Sequence, residues 1–267
     1  MHTYWHNRMV FGYGLWPDKE MEITADGSAI ILSPLSGDTQ ASIHIDLYSQ
    51  RLSIEQSEEL MNKFLSHLCW VSDQPLWLAD WGFAGNSGLP QNTFQREQSR
   101  LFESLAIPFP DHFELINDTT VLKLIALYRE GKVAQNYSIP YACLSFYRVL
   151  EYEKKASRTN ELCNWMDSII TQWSSAGDSV DDLVLQEVEK YKNEYELESV
   201  SDVLYKVVRC SAAHYPELYD LNPDQERAKE IYKHAQYLLQ KLARKFISDK
   251  KEISNNIFSI GYNKNSR

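Results

Sequence analysis

The chain is poor in cysteine, and its four cysteines form no pattern. Cys69, Cys143, Cys163 and Cys210 contain no CxxC and no regular spacing. That excludes a zinc ribbon and a disulfide scaffold, and predicts reduced, mostly buried thiols in a cytoplasmic protein. No apolar run approaches the roughly 18 to 20 residues that span a bilayer, so no membrane partner is expected. The opening "MHTYWHNRMVFGYG" lacks a basic start followed by an apolar segment, which predicts no secretory leader. Phosphate loops and nucleophile elbows are missing too. "FGYGLWP" contains glycines but neither the spacing nor the Lys-Ser/Thr of a phosphate cradle, and reads as a bend. His2 and His6 have a spacing that would suit a metal on a helix, but no acid or third histidine lies nearby. No metal and no cofactor are therefore expected. There is no internal repeat and no low-complexity segment.

What is present is a folded globular chain of 267 residues, 43% hydrophobic and 24% charged, enough for one large or two ordinary domains. Its net charge of −10 is unevenly spread. Residues 1–117 carry 6 basic and 15 acidic side chains, whereas residues 118–267 carry 21 and 22. Within the second half, residues 227–251 hold 8 basic and 2 acidic side chains. A local basic face matters more to a polyanion than the global sum.

The two halves follow different periodicities. "SAIILSPL" and "ASIHIDLYS" alternate like strands, with "SGDTQ" as the turn between them. From about Ser53, the residues Leu60, Met61, Phe64, Leu65 and Leu68 fall at helical spacing. "CWVSDQPLWLADWGFAGNSGLPQN" reads as a packed strand or loop ending in an exposed turn. "IPFPDHFELIND" at 107–118, with two closely spaced prolines, reads as a boundary. Helices follow. One spans 119–131, with Gly131 as its closing residue. One spans 140–155, with Pro140 in its first turn. One spans 160–173, and one runs from a Ser179 cap through Tyr191. Another runs from Ser199 or Ser201 toward Arg209. In the last, Asn222 is the predicted cap, Pro223 the first helical residue and Gln225 the capping-box partner. Its predicted buried stripe is Ala228, Ile231, Tyr232, Ala235, Leu238, Leu239, Leu242 and Phe246. The predicted class is α+β: a mixed α/β domain over 1–117, an all-α bundle over 118–250, and a tail over 251–267.

The stretch "KVVRCSAAHYPEL" is the richest in chemistry. Arg209 and His214 are five residues apart. On a continuous α-helix they would point about 140° apart and be separated by roughly 7.5 Å along the axis. One straight helix cannot bring both to one small group. Either the helix ends between them, or a second copy of the chain completes the site. Pro216 disfavours helix at Tyr215, so the helix stops by then. Ser211, Ala212 and Ala213 are small and allow close approach. Arginine can hold a phosphate and supply charge where negative charge develops. Histidine can take a proton from a 2′-hydroxyl or give one to a leaving 5′ oxygen. The residues by themselves leave a plain alternative: Arg209 pairs with an acid and His214 ends a helix.

Three further groups bear on this site. Glu151 can orient Arg209 or His214, or pair with Arg148 or Lys155. Lys241, Arg244 and Lys245 can follow an RNA backbone, or merely complement a helix dipole. Of 16 tyrosines, 12 lie from residue 137 onward. Such rings can stack on unpaired bases, although Tyr147 and Tyr232 read as core.

"LKLIALYREG", "YACLSFYRVLEYEK" and "VLYKVVRCSAAHY", followed by a long closing helix, resemble a HEPN domain of the MauJ-like and ApeA-like branch. The resemblance covers 118–250 and implies a helical bundle that homodimerises. It also implies a metal-independent endoribonuclease whose R-x4-6-H motifs meet across the dimer, in a defence or stress setting of toxin type. The implied substrate is RNA, cut to a 2′,3′-cyclic phosphate and a 5′-hydroxyl. On this reading Arg209 and His214 are the catalytic pair, with Glu151, Cys210 and Tyr215 as auxiliaries. A partner protein would act through the N-terminal domain. Two positions depart from the family pattern. Cys210 stands where a polar residue, most often Asn, follows the arginine. Pro216 stands where some members carry a modified tyrosine, with Tyr215 one place early. Non-catalytic members of the family bind RNA, a nucleotide or a protein instead.

Overall fold

The computed structural model describes residues 4–12, 16–35, 40–85, 109, 112–113, 115–152, 159–176, 179–214 and 221–249. The predicted tail 251–267, His2, Lys155, Tyr215 and Pro216 lie outside the described residues. The chain is α+β, with an N-terminal, largely antiparallel sheet and a C-terminal helical region. It divides into two compact units, one running to Arg129 and the other from Glu130.

In the first unit, β1 (Trp5–Gly12), β2 (Met21–Ala25), β3 (Ser28–Ser33) and β4 (Ser42–Asp46) precede the short α1 (Leu47–Gln50) and α2 (Ile54–Ser72). After them come β5 (Leu76–Gly85) and β6 (His112–Phe113). The sheet order is β5-β1-β4-β3-β2-β6, and only the β2–β6 pair is parallel. β3 and β4 are the predicted strands, paired antiparallel with Ile31 opposite His44. Ser53 caps α2 by accepting from the Gln56 N–H, while Gln56 returns the bond to the Ser53 N–H. Met61, Phe64, Leu65 and Leu68 on α2 are buried in one cluster with Ile23, Ile30, Leu32, Ile43 and Ile45 from the strands.

Two strands run against the sequence reading. β1 is not among the strands expected from the sequence, and His6 lies on it, so the metal-compatible His2/His6 spacing on a helix does not apply. β1 is central, between β5 and β4, and its period-2 signal is absent because His6, Asn7, Met9 and Val10 are all buried. Its polar residues find partners across the structure, Arg8 Nε excepted, which is buried without one among the described residues. His6 Nδ1 bonds Ser57 Oγ and its Nε2 faces Glu58 at 3.4 Å. Arg8 donates to the Ala79 carbonyl and pairs with Glu58 at 3.1 Å. Asn7 Oδ1 lies 2.8 Å from His44 Nδ1, and Ser42 Oγ lies 2.9 Å from His44 Nε2. The predicted boundary at 107–118 also contains β6. Phe113 meets Phe64 edge-on at 5.1 Å, and Leu115 and Ile116 are buried. At the end of β1, Gly12 has φ +140°, and a Cβ there would lie 2.0 Å from the Pro75 carbonyl oxygen. Glycine is therefore required where the strand ends.

From Thr119 the structure is helical: α3 (Thr119–Ala134), α4 (Ile139–Glu151), α5 (Thr159–Ala176), α6 (Ser179–Glu194) and α7 (Val200–Asp202). A π-helical segment (Val203–Arg209), α8 (Cys210–Ala213) and α9 (Glu226–Ser248) complete it. Two helix ends differ from expectation. Gly131 lies inside α3 rather than closing it, and glycine suits that place because a Cβ there would come within 2.6 Å of the Phe146 ring. α9 starts at Glu226 with Gln225 as its cap. Asn222 instead closes its own turn, accepting from the Asp224 N–H through Oδ1 and from the Gln225 N–H through its carbonyl. The α9 stripe is buried from Ala228 to Leu242, but Ile247 rather than Phe246 completes it.

Two predictions follow from this packing. Gly131→Val should destabilise the protein by about 1–3 kcal/mol, since the buried Phe146 ring cannot yield to an added side chain. An unchanged urea midpoint would contradict the close approach. Burial depresses the pKa of His44 to about 4. It does the same to His67, to about 4, where Nε2 accepts from the Ile116 N–H. Below the unfolded value of about 6.5 the unfolded chain takes protons that the folded chain refuses. Stability should thus be level above about pH 6.5 and fall as pH drops toward 4. His44→Gln should flatten part of that slope in denaturation midpoints measured between pH 4 and 7.

Candidate functional site

The helix carrying the motif is anchored at its start. Ser199 caps it by accepting from the Asp202 N–H at 3.2 Å. Asp167 of α5 accepts from the Ser201 N–H at 3.1 Å and from the Ser201 hydroxyl at 2.7 Å. Val203, Leu204, Val207 and Val208 then bury one face. Along this stretch the backbone bonds i→i+5, ending with the Cys210 N–H on the Tyr205 carbonyl. A wider turn therefore replaces the α-helical arithmetic just before the motif; such turns recur at functional sites. α-Helical bonding resumes, with the His214 N–H on the Cys210 carbonyl at 2.8 Å. The helix ends there, because His214 is extended at φ −138°, ψ 165°.

Arg209 and His214 consequently serve different surroundings. Arg209 Nη2 lies 3.2 Å from Glu151 Oε1 and 3.4 Å from Oε2. The pair is neither fully buried nor free in solvent: the side chains are 23% and 32% exposed. One nitrogen serves both oxygens, so this is not the two-nitrogen fork of the strongest pairs. Arg209 Nε is buried with no hydrogen-bond partner among the described residues. The guanidinium carbon lies 6.0 Å from the Tyr205 ring centroid, and Tyr205 stacks on Tyr147 at 6.1 Å. Partial burial works against the Arg209 charge, but the Glu151 carboxylate and its hydrogen bond outweigh it and hold the pKa above the usual value. Tyr147 is fully buried, its hydroxyl is also without a partner, and burial raises its pKa.

His214 is exposed and lines a cavity of about 610 Å³. Tyr137, Ser138 and Tyr141 at the start of α4 line it as well, together with Ser211 on α8 and Lys229 on α9. Arg209 is not on that lining. Glu151, at the far end of α4, is ten residues from Tyr141, or about 15 Å along the helix. Within one chain the structure joins Arg209 to Glu151 and leaves His214 at the other end of α4. Arg148 pairs with Glu130 instead.

Of the remaining described candidates, only Cys210 adjoins Arg209. Cys210 is half-buried at the start of α8. Lys241 lies over the Trp173 ring at 5.2 Å and the Tyr237 ring at 5.7 Å, and Lys245 pairs with Asp249 at 2.6 Å. Arg244 is half-buried. Tyr215 lies outside the described residues. Among the described residues, no group of three or more His, Cys, Asp or Glu is gathered as a metal site needs. No described helix is long and apolar enough to cross a membrane. The sequence reading missed the cavity. Its one local signal was "NYSIPY", two tyrosines around a serine and a helix-starting proline.

The Arg209–Glu151 pair should show a coupling of about 1 kcal/mol in a double-mutant cycle of Arg209→Gln and Glu151→Gln read by urea denaturation. A coupling indistinguishable from zero would reduce it to an ordinary surface pair.

The comparisons with known proteins bear on the helical part. No curated protein and no solved structure matched the chain. Residues 124–248 match the family described as methylamine utilization protein MauJ. That stretch, which contains both Arg209 and His214, is a MauJ-like domain.

Proposed function

We propose that the helical unit is a HEPN-type, metal-independent endoribonuclease that works as a pair of copies. The observation that carries this reading is the arrangement around one helix. A carboxylate-held Arg209 leads, at the helix end, to an exposed His214 opening on a cavity. In the proposed reaction a 2′-hydroxyl gives its proton to an imidazole and its oxygen attacks the adjacent phosphorus. The P–O5′ bond breaks, and the 5′ oxygen leaves with a proton from the second copy's imidazole or from water. The products are a 2′,3′-cyclic phosphate and a 5′-hydroxyl. The guanidinium neutralises charge on the non-bridging oxygens as it builds. Glu151 is a positioning residue, fixing the guanidinium plane without touching RNA. The separation of Arg209 from the His214 cavity within one chain is the reason for invoking a second copy, whose arginine would face the first copy's histidine.

A second reading rests on the same ion pair. If Arg209 stays with Glu151 when RNA is present, and Cys210 does not substitute for the amide that usually follows the arginine, the unit binds RNA, a nucleotide or a protein without cutting. A thiol is a weak donor, which favours this alternative.

The test is cleavage of a labelled RNA with EDTA present. His214→Ala should lower the rate at least about 100-fold, and Arg209→Ala by about 100- to 1,000-fold. Mixing the two inactive variants should restore part of the activity through mixed pairs. Wild-type protein that leaves RNA intact, or a His214→Ala protein as active as wild type, would favour the binding reading.

A further inference from the structure

The cavity beside His214 has a composition that the chain as a whole does not lead one to expect. The protein carries a net charge of −10, yet among the described residues lining this cavity none is a carboxylate. A lysine and a histidine are. Its volume of about 610 Å³ falls within the roughly 300–1,000 Å³ usual for small-ligand sites. Two of its lining residues are tyrosines that the fold leaves in solvent: Tyr137 is 72% exposed and Tyr141 63%. Neither ring belongs to the buried core, whose tyrosines include Tyr128, Tyr147, Tyr191 and Tyr232. Lys229 pairs with Glu226 at 3.5 Å, a solvent-exposed contact that a phosphate can displace. Ser211 adds a hydroxyl one turn of helix before His214.

We infer that this cavity seats one unpaired RNA nucleotide next to His214, with Tyr137 and Tyr141 as stacking platforms for its base and Lys229 on its phosphate. The inference rests on the endoribonuclease reading for the identity of the polymer, and it adds the residues that would select the substrate. An aromatic ring needs the open face of a base. In a duplex that face is covered by its neighbours, so such a site discriminates against paired RNA. Stacking on tyrosine tolerates every base, so selection here would be for unpaired structure rather than for sequence. The lysine would contribute a salt-dependent, sequence-independent part of the affinity.

Binding separates this subsite from catalysis. The probe is a fluorescent single-stranded 2′-O-methyl RNA, which cannot undergo 2′-oxygen attack, followed by anisotropy with the full chain and compared with the same strand in a duplex. The wild type should bind the single strand and bind the duplex at least about ten-fold more weakly. Tyr137→Ala and Tyr141→Ala should each raise Kd by about 5- to 100-fold, while Tyr141→Phe should stay within about two-fold. Lys229→Gln should reduce the slope of log K against log salt by about 0.7. Because both rings are exposed, circular dichroism should show the variants folded like wild type. No single-strand binding, equal duplex binding, or unchanged Kd in both alanine variants would overturn the subsite. Binding with the expected tyrosine dependence but no cleavage of ordinary RNA would sink the nuclease reading alone. Cleavage with tyrosine-independent binding would sink the subsite alone.

Discussion

Burial of one face of α4 is the constraint on which the helical unit depends. Ala142, Cys143, Phe146, Tyr147, Val149 and Leu150 are all inaccessible to solvent. Each large apolar side chain among them contributes about 1.5–3 kcal/mol through removal from water. The packing is tight on more than one side: Gly131 lacks a side chain so that Phe146 can approach, and the Cys143 thiol donates to the Tyr232 carbonyl of α9. With α4 held rigid, its two ends become fixed platforms. One end presents Glu151 to Arg209; the other presents Tyr137 and Tyr141 to the cavity that contains His214.

Buried polar groups occur in both units. In the sheet unit, His6, Asn7, Ser42 and His44 are buried but bonded, and the imidazoles of His44 and His67 are kept neutral by burial. Such satisfied networks pin a register, and β1 could not otherwise carry so many polar side chains through the middle of a sheet. The accounting is incomplete at Arg8, whose Nε is buried without a bond among the described residues, and again around Arg209. Its Nε and the Tyr147 hydroxyl are both buried without a bond among the described residues. Unsatisfied buried donors are costly and therefore uncommon. Their presence beside a single-nitrogen contact with Glu151 leaves the guanidinium with unused hydrogen-bonding capacity.

The π-helical turn links fold to chemistry. An α-helix from Ser199 to Ala213 would carry Arg209 and His214 at the angular offset that helical spacing predicts. The wider turn at 203–209 changes where Arg209 emerges relative to the buried face of Val203, Leu204, Val207 and Val208. The chain then returns to α-helical bonding for one turn and stops at an extended His214. The motif residues are thus set by three successive backbone states, each fixed by different neighbours.

Local pattern alone was enough to indicate the α+β class, the amphipathic α2, the helices from 119 onward and nearly the whole buried stripe of α9. Those features depend on short-range periodicity and on side chains that bond their own backbone, so they are written within a few residues of where they act. β1 was illegible because burial on both faces erases alternation, and β6 because its two residues pair with a strand some ninety positions earlier. The partner of Arg209 was one of several acids open to it. That choice, the wider turn before the motif and the placing of two tyrosines on the lining of the His214 cavity were decided by tertiary packing, because each requires segments far apart in the chain to meet.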